Sequence, residues 1–288
     1  MDIRPSLRLA IMNDLHVGSG GSVGGFQNPF LTGDARQTVA ATVAAINRQQ
    51  PELVLIPGDL TSNASEAELG EVLGYLNELH CPFVVCKGNH DRESPEASQR
   101  FDAAFGKRAQ AGLIRREELT LPEGVALLVL ESSWKHEGLS PLATLDEGLV
   151  EQALDELDSQ RPQLLLVLTH YPLKSQAQYA ADQGLKYGGH VRGGDVLLNE
   201  LHKRAWAVVC FCGHNHYHHI MAGDTWLQCA IAAIVEFPSE YRLATIGGDD
   251  VTISTHTGVK DSVRRPASLG CPQVVGRPED REFIWRPA

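Results

Sequence analysis

Five short apolar runs in this 288-residue chain each end in side chains able to bind a metal ion. Residues 7–12 lead into Asn13-Asp14-Leu15-His16, and residues 53–56 into Pro57-Gly58-Asp59. Residues 82–86 run into Gly88-Asn89-His90-Asp91, residues 164–168 into Thr169-His170, and residues 207–212 into Gly213-His214-Asn215-His216. Apolar runs of this length, bounded by turn formers, read as buried strands. In open α/β sheets, sites assemble beyond the carboxyl ends of the strands. One such ending is ordinary turn chemistry; five of one chemical kind call for a fold that brings them together.

The segments between the runs read as helices. Residues 34–50 place Val39, Val43 and Ile46 at helical spacing, with Asp34 as cap and Pro51 as stop. Residues 65–80 carry Leu69, Val72, Leu73 and Leu76 on one stripe, and residues 95–105 form a third helix. Residues 146–160 are a fourth, and 195–202 a short fifth. Residues 125–130 add an apolar strand. Later, residues 226–231, 241–246 and 251–255 read as successive strands, with a turn at 247–250. Strand–helix alternation followed by late strands predicts an α/β protein: a four-layer α/β/β/α sandwich of two mixed sheets flanked by helices. Residues 1–258 are expected to form the domain. Prolines and scattered charges over 259–288 predict an extended C-terminal tail, packed on the domain or partly disordered.

Composition narrows the partners. The formal charge of −11 disfavours a nucleic-acid polymer, whose binding needs clustered Lys and Arg. A small phosphorylated substrate stays open, because bound metal supplies a local positive field. No apolar stretch approaches the roughly 20 residues that span a bilayer, so no membrane partner is expected. The N-terminus has no export pattern, so a cytoplasmic location is expected and the acceptor-like Asn63-Ala64-Ser65 is discounted. Six cysteines lack the density and pattern of a disulfide scaffold and read as small buried thiols. Homo-oligomerisation is left open.

Asp14 and His16 lie two apart just past a strand, so both side chains can point to one side, and His214 and His216 repeat the arrangement. Carboxylate beside imidazole suits Mn, Fe or Zn better than Ca. Asp59 stands alone after its strand, as a carboxylate does when each oxygen binds a different ion. Two divalent ions held ~3.5–4 Å apart can share a hydroxide and clamp a phosphoryl group.

The ordered set Asp14-Leu15-His16, Gly58-Asp59, Gly88-Asn89-His90-Asp91, His170 and Gly213-His214-Asn215-His216 resembles the calcineurin-like metallophosphoesterase superfamily. The resemblance implies two divalent metal ions per chain. Asp14, His16 and His216 would bind one, Asn89, His170 and His214 the other, and Asp59 would bridge them. His90 would lie beside the substrate phosphate without being a ligand, and Asp91 would orient it.

Purple acid phosphatases carry Tyr where this chain has Ser62, so a tyrosinate-bound iron is not expected. Ser/Thr protein phosphatases follow their bridging Asp with Asp-Arg-Gly, where this chain reads Leu60-Thr61-Ser62. The spacing looks more like the bacterial branch of cyclic-nucleotide and glycerophosphodiester phosphodiesterases. The resemblance therefore implies a phosphoesterase, preferring phosphodiesters, in which a metal-bridging hydroxide attacks phosphorus. The alternatives are a broad-specificity phosphomonoesterase, a nuclease, or a non-catalytic scaffold of the same fold.

Four further features carry weaker readings. The glycine-rich segment 18–25 is expected to be a mobile loop beside the site, or to contact phosphate through its N–H groups. His190 and Arg192, in a loop downstream of His170, are candidate substrate contacts. His218 and His219 are expected to face solvent. Trp134 either lines a pocket or closes the core.

Overall fold

In the computed structural model of the chain, residues 6–18, 26–31, 35–114, 116–119, 121–137, 140–204, 206–260 and 270–288 are described, the side chains of 117 and 133–142 excepted. The strands are β1 (Leu7–Ile11), β2 (Leu53–Ile56), β3 (Phe83–Val85), β4 (Gly112–Ile114), β5 (Val125–Leu130), β6 (Ser132–Glu137) and β7 (Ser140–Leu145). They continue as β8 (Leu164–Thr169), β9 (Ala207–Cys212), β10 (His219–Ala222), β11 (Trp226–Ala230), β12 (Tyr241–Gly247), β13 (Asp250–His256) and β14 (Glu282–Trp285). The helices are α1 (Arg36–Gln49), α2 (Glu66–Leu76), α3 (Pro95–Phe105), α4 (Arg116–Leu119), α5 (Glu147–Gln160), α6 (Ala177–Gln183), α7 (Gly194–Lys203) and α8 (Pro278–Arg281).

Two six-stranded mixed sheets form the centre. The first runs β14-β13-β12-β1-β2-β3, the second β10-β11-β9-β8-β5-β4, and β6–β7 is a separate hairpin. Within the first sheet β1, β2 and β3 are parallel while β12 meets β1 antiparallel. In the second, β5, β8, β9 and β11 are parallel. Alternation along the strands decides the layers. Leu9, Ile11, Leu53 and Leu55 face Leu127, Leu166, Leu168 and Phe211 of the other sheet. The intervening Ala10, Met12, Val54 and Ile56 face α1–α3 through Val39, Ile46, Val72 and Phe101. On the far side, Leu128, Leu165, Val167 and Val208 meet Leu157 of α5 and Leu197 and Leu201 of α7. The predicted α/β/β/α order is observed. Strands covered on both faces need apolar residues at nearly every position, which is why they read as apolar runs, broken in β1 only by the partly buried Arg8.

Several local expectations shift. Asp34 lies outside the described residues, and α1 begins at Arg36. The helix expected over 65–80 ends at Leu76; it starts as a capping box in which the Ser65 hydroxyl accepts from Glu68 N–H and the Glu68 carboxylate accepts in return. The hairpin β6–β7 and strands β4, β10 and β14 are additions. The C-terminal region contributes an edge strand, with Val251 opposite Trp285 and Ile253 opposite Phe283. All six cysteines are free, and five are buried. Among the described residues no helix is long and apolar enough to cross a membrane.

Candidate metal centre

Strands β1, β2, β3, β8 and β9 open at their carboxyl ends onto one edge of the sandwich, and the loops there are held by backbone. Asp14 N–H donates to Gly58 O at 3.3 Å, His16 N–H to Asp59 O at 3.0 Å, and Gly213 N–H to His170 O at 2.9 Å. Asp14, His16, Asp59, His214 and His216 take φ of 49, 39, 49, 67 and 58°. Left-handed backbone costs a non-glycine residue on the order of 1–3 kcal/mol and persists where the surroundings impose it. Five such residues at one edge mark a place where side-chain direction outweighs local comfort.

Close approach also fixes Gly88. A Cβ there would run into the Asp59 carboxylate and backbone nitrogen. Gly88→Ala is therefore expected to destabilise the fold by about 1–3 kcal/mol, the usual cost of overpacking, and to weaken metal uptake by displacing Asp59. Denaturant melts with and without Mn(II) read both effects; an unchanged midpoint and unchanged metal shift contradict the packing argument.

Two half-sets of donors converge on Asp59. On one side His16 Nε2 and His216 Nε2 are 3.4 Å apart, and Asp14 Oδ1 is 3.5 Å from His216 Nε2. On the other, Asn89 Oδ1 lies 3.0 Å from both His170 Nε2 and His214 Nδ1, which are themselves 3.3 Å apart. One oxygen, Asp59 Oδ2, stands 3.9 Å from His16 Nε2 and 3.4 Å from His170 Nε2, so it touches both half-sets. Ligand atoms of Asp14, His16 and His216, and of Asp59, His170 and His214, fall within 4.8 Å of one another.

The hydrogen bonds behind these atoms fit metal ligation. His170 Nδ1–H donates to Pro57 O at 2.7 Å and His216 Nδ1–H to Glu236 Oε1 at 2.9 Å, leaving each Nε2 lone pair directed inward. Asp14 Oδ1 is buried without a hydrogen-bond donor, while Oδ2 accepts from Asn13 Nδ2. An uncompensated buried carboxylate oxygen is costly unless a cation meets it. Burial lowers His16 to about 4 and His214 well below the usual range, favouring neutral, ligating rings. Burial opposes charge on His216 too, but the Asp14 and Glu236 carboxylates raise it well above the ordinary value. Burial also disfavours the Asp59 carboxylate, yet His170 and His16 hold it far below the usual range. Burial opposes charge on His170 as well, but the Asp59 carboxylate raises it to about 9. The buried carboxylates thus draw positive charge onto His170 and His216, and divalent ions would supply that charge with the rings neutral.

His90 stands at the edge of the centre, 38% exposed in its side chain. Its Nδ1 faces Ser62 O at 3.1 Å, and its ring meets that of His16 edge-on at 4.9 Å. Its ligand atom also groups with His16 and Asp59. Asp91 takes a different place from the one the resemblance implies. Its carboxylate is turned inward, accepting from Leu60 N–H, Thr61 N–H, Thr61 Oγ1–H and Gly88 N–H at 2.9–3.1 Å. It braces the loops after β2 and β3, and Ser62 O rather than Asp91 receives His90 Nδ1. Burial and the neighbouring Asp59 carboxylate raise Asp91 to about 6, against those four donors.

His190 is exposed and follows Gly189, whose carbonyl accepts from Asn215 Nδ2 at 3.3 Å. Arg192 bridges to the hairpin, donating its N–H to Ala143 O at 2.9 Å, and lines a cleft with Leu154 and Val196 of α5 and α7. His218 and His219, expected at the surface, are buried. His219 Nδ1 pairs with Asp280 at 3.0 Å and stacks on Tyr179, and His218 faces Glu240 at 3.4 Å. Asp280 arrives from α8, too distant in sequence to be anticipated. The Trp134 side chain and residues 19–25 lie outside the described residues. Glu236 and Tyr171 were not anticipated. Tyr171 O–H donates to Asn89 Oδ1 at 3.3 Å, and its ring packs on His214. Glu236 had one signal: a lone acid within the apolar stretch 229–237.

The calcineurin-like phosphoesterase model matches residues 7–218, and the chain belongs to that family. Among its relatives is a probable cyclic nucleotide phosphodiesterase of Rhodopseudomonas palustris, 28% identical over 64% of this chain. That match spans 64% of the relative's length, just under two thirds. A probable glycerophosphodiester phosphodiesterase of Arcobacter nitrofigilis is 23% identical over 71% of this chain and 70% of its own length. A dimetal phosphatase from Danio rerio shares the fold with a TM-score of 0.66, at 11% identity, over 99% of this chain and 100% of its own.

Proposed function

We propose that the protein is a dinuclear metal-dependent phosphoesterase acting on small phosphate esters, phosphodiesters before monoesters. The observation that carries this reading is the position of Asp59 Oδ2, within 3.9 Å of His16 on one side and 3.4 Å of His170 on the other. Asp14, His16, His216 and Asp59 would hold one ion, and Asp59, Asn89, His170 and His214 the second. Two divalent ions of the Mn, Fe or Zn kind supply Lewis acidity and a water-derived nucleophile at neutral pH.

The chain's own residues do the rest. Pro57 O and Glu236 fix the His170 and His216 tautomers, and Asp91 fixes the backbone carrying Asp59 and Asn89. His90, partly exposed at the edge of the centre with Nδ1 directed to Ser62 O, would protonate the departing oxygen through its other ring nitrogen. His190 and Arg192 are the candidate substrate contacts, a reading supported for His190 by its position after Gly189, whose carbonyl is tied to Asn215 of the ligand loop. The phosphodiester preference is supported by the printed activities of the Rhodopseudomonas and Arcobacter relatives.

A kinetic panel of matched monoesters and diesters, with Mn, Fe and Zn supplied in turn, tests the reading. Diesters should be cleaved with the higher kcat/KM, and chelation should remove all activity until metal is restored. Full activity in excess chelator, or inertness to both ester classes when loaded, contradicts it; faster monoester cleavage favours the phosphomonoesterase alternative.

A further inference from the structure

Glu236 lies in an apolar stretch after β11 and is fully buried. Its carboxylate serves two structures. Oε1 accepts from His216 Nδ1–H at 2.9 Å and from the Phe26 N–H. Oε2 accepts from Gln27 N–H at 3.1 Å and Asn28 N–H at 2.9 Å. Three consecutive backbone N–H groups around one carboxylate make an anion-binding nest, here filled by the protein's own side chain.

The segment so held is part of the wall around the centre. Gln27 Nε2–H donates to Asn215 O at 3.0 Å, between the two ligand histidines, and Gln27 Oε1 accepts from Lys186 N–H at 3.1 Å. Asn28 exchanges hydrogen bonds with Cys271 at 2.9 and 2.7 Å. The Phe26 ring stands edge-on to His216 at 5.4 Å and against Tyr187 at 6.1 Å; Tyr187 in turn meets His214 at 5.3 Å.

We propose that Glu236 is a positioning residue coupling the Asp14–His16–His216 half-site to segment 26–28, so that filling the half-site and ordering the segment favour each other. The inference rests on the dinuclear reading above. A carboxylate receiving Nδ1–H holds the imidazole in the tautomer whose Nε2 can ligate. A cation on Nε2 makes Nδ1–H a stronger donor and pins Glu236, which pins the three N–H groups. Linkage requires the reverse: a segment already closed on Glu236 raises the half-site's affinity by the same factor.

The test pairs calorimetric Mn(II) titration with hydrogen exchange at the amides of residues 26–28, for the whole protein and for Glu236→Gln. The Gln side chain keeps one acceptor and replaces the other with a donor, so it cannot serve both structures. In the native protein, loading two Mn(II) should slow exchange at 26–28 by roughly 5–150-fold, the range of ordinary site coupling. In Glu236→Gln, one of the two ions should bind about 10–100-fold more weakly. The other should be retained, and exchange at 26–28 should become fast and insensitive to Mn(II). Wild-type affinity for both ions in the variant, or equal weakening of both, overturns the proposal. Should the variant not fold, the native protein decides alone. Two bound ions with no change at 26–28 refute the coupling, whereas no bound ion at all refutes the dinuclear reading itself.

Discussion

Asp59→Asn is expected to abolish turnover and leave neither half-site able to keep its ion. Asp59 is 2% exposed and sends one oxygen toward His16 Nε2 and His170 Nε2 alike. An amide removes the negative charge that both cations would share, and its NH2 group would either face them as a donor or displace the acceptor of His90 N–H. Two divalent ions a few ångströms apart would repel strongly in a buried site, and a shared Asp59 carboxylate would offset that repulsion. Losing several kcal/mol of charge stabilisation corresponds to roughly 10³-fold or more in rate. The remaining Asn Oδ1 can still accept from His90 N–H, at 2.9 Å in the native protein, so the loop is expected to keep its shape. Metal content by mass spectrometry beside kcat checks this; a variant retaining two ions and a rate within tenfold of native contradicts the bridging role.

His90→Ala should behave in the opposite way, keeping both ions while kcat falls ~10²–10⁴-fold, the usual contribution of a positioned proton donor. His90 is the partly exposed member of the cluster it shares with the buried His16 and Asp59, and Ser62 O holds its Nδ1. The loss should be smaller for substrates with good leaving groups, which need no protonation, and larger for alkyl esters. The rival role is also geometric, because its ligand atom lies within 4.8 Å of those of His16 and Asp59. Loss of an ion from His90→Ala, with rates falling equally for both leaving-group classes, would assign it that role.

The sequence carried the site in its strand endings because those strands are covered on both faces. Burial made them apolar but for Arg8 of β1, so each candidate ligand stands out where an apolar run stops. Helix α5 was legible for the same kind of reason: Asp146 caps it, accepting from Leu149 N–H at 3.1 Å, and its apolar stripe repeats at helical spacing. Long-range pairing was not legible. His219 reads as polar surface until Asp280 reaches it from the C-terminal helix, and β14 hides among charges because edge strands alternate. Asp91 follows His90 in the chain, yet the 3-10 turn over His90–Arg92 sends the two side chains apart. Glu236 looked like an isolated acid because its four donors come from residues 26–28 and His216.

Anomalous scattering from Mn(II)-loaded crystals tests the central claim most directly. Two peaks about 3.5–4 Å apart are predicted on either side of Asp59, one ligated by Asp14, His16 and His216, the other by Asn89, His170 and His214. A single peak, or one bound through His90 in place of His216, would contradict it.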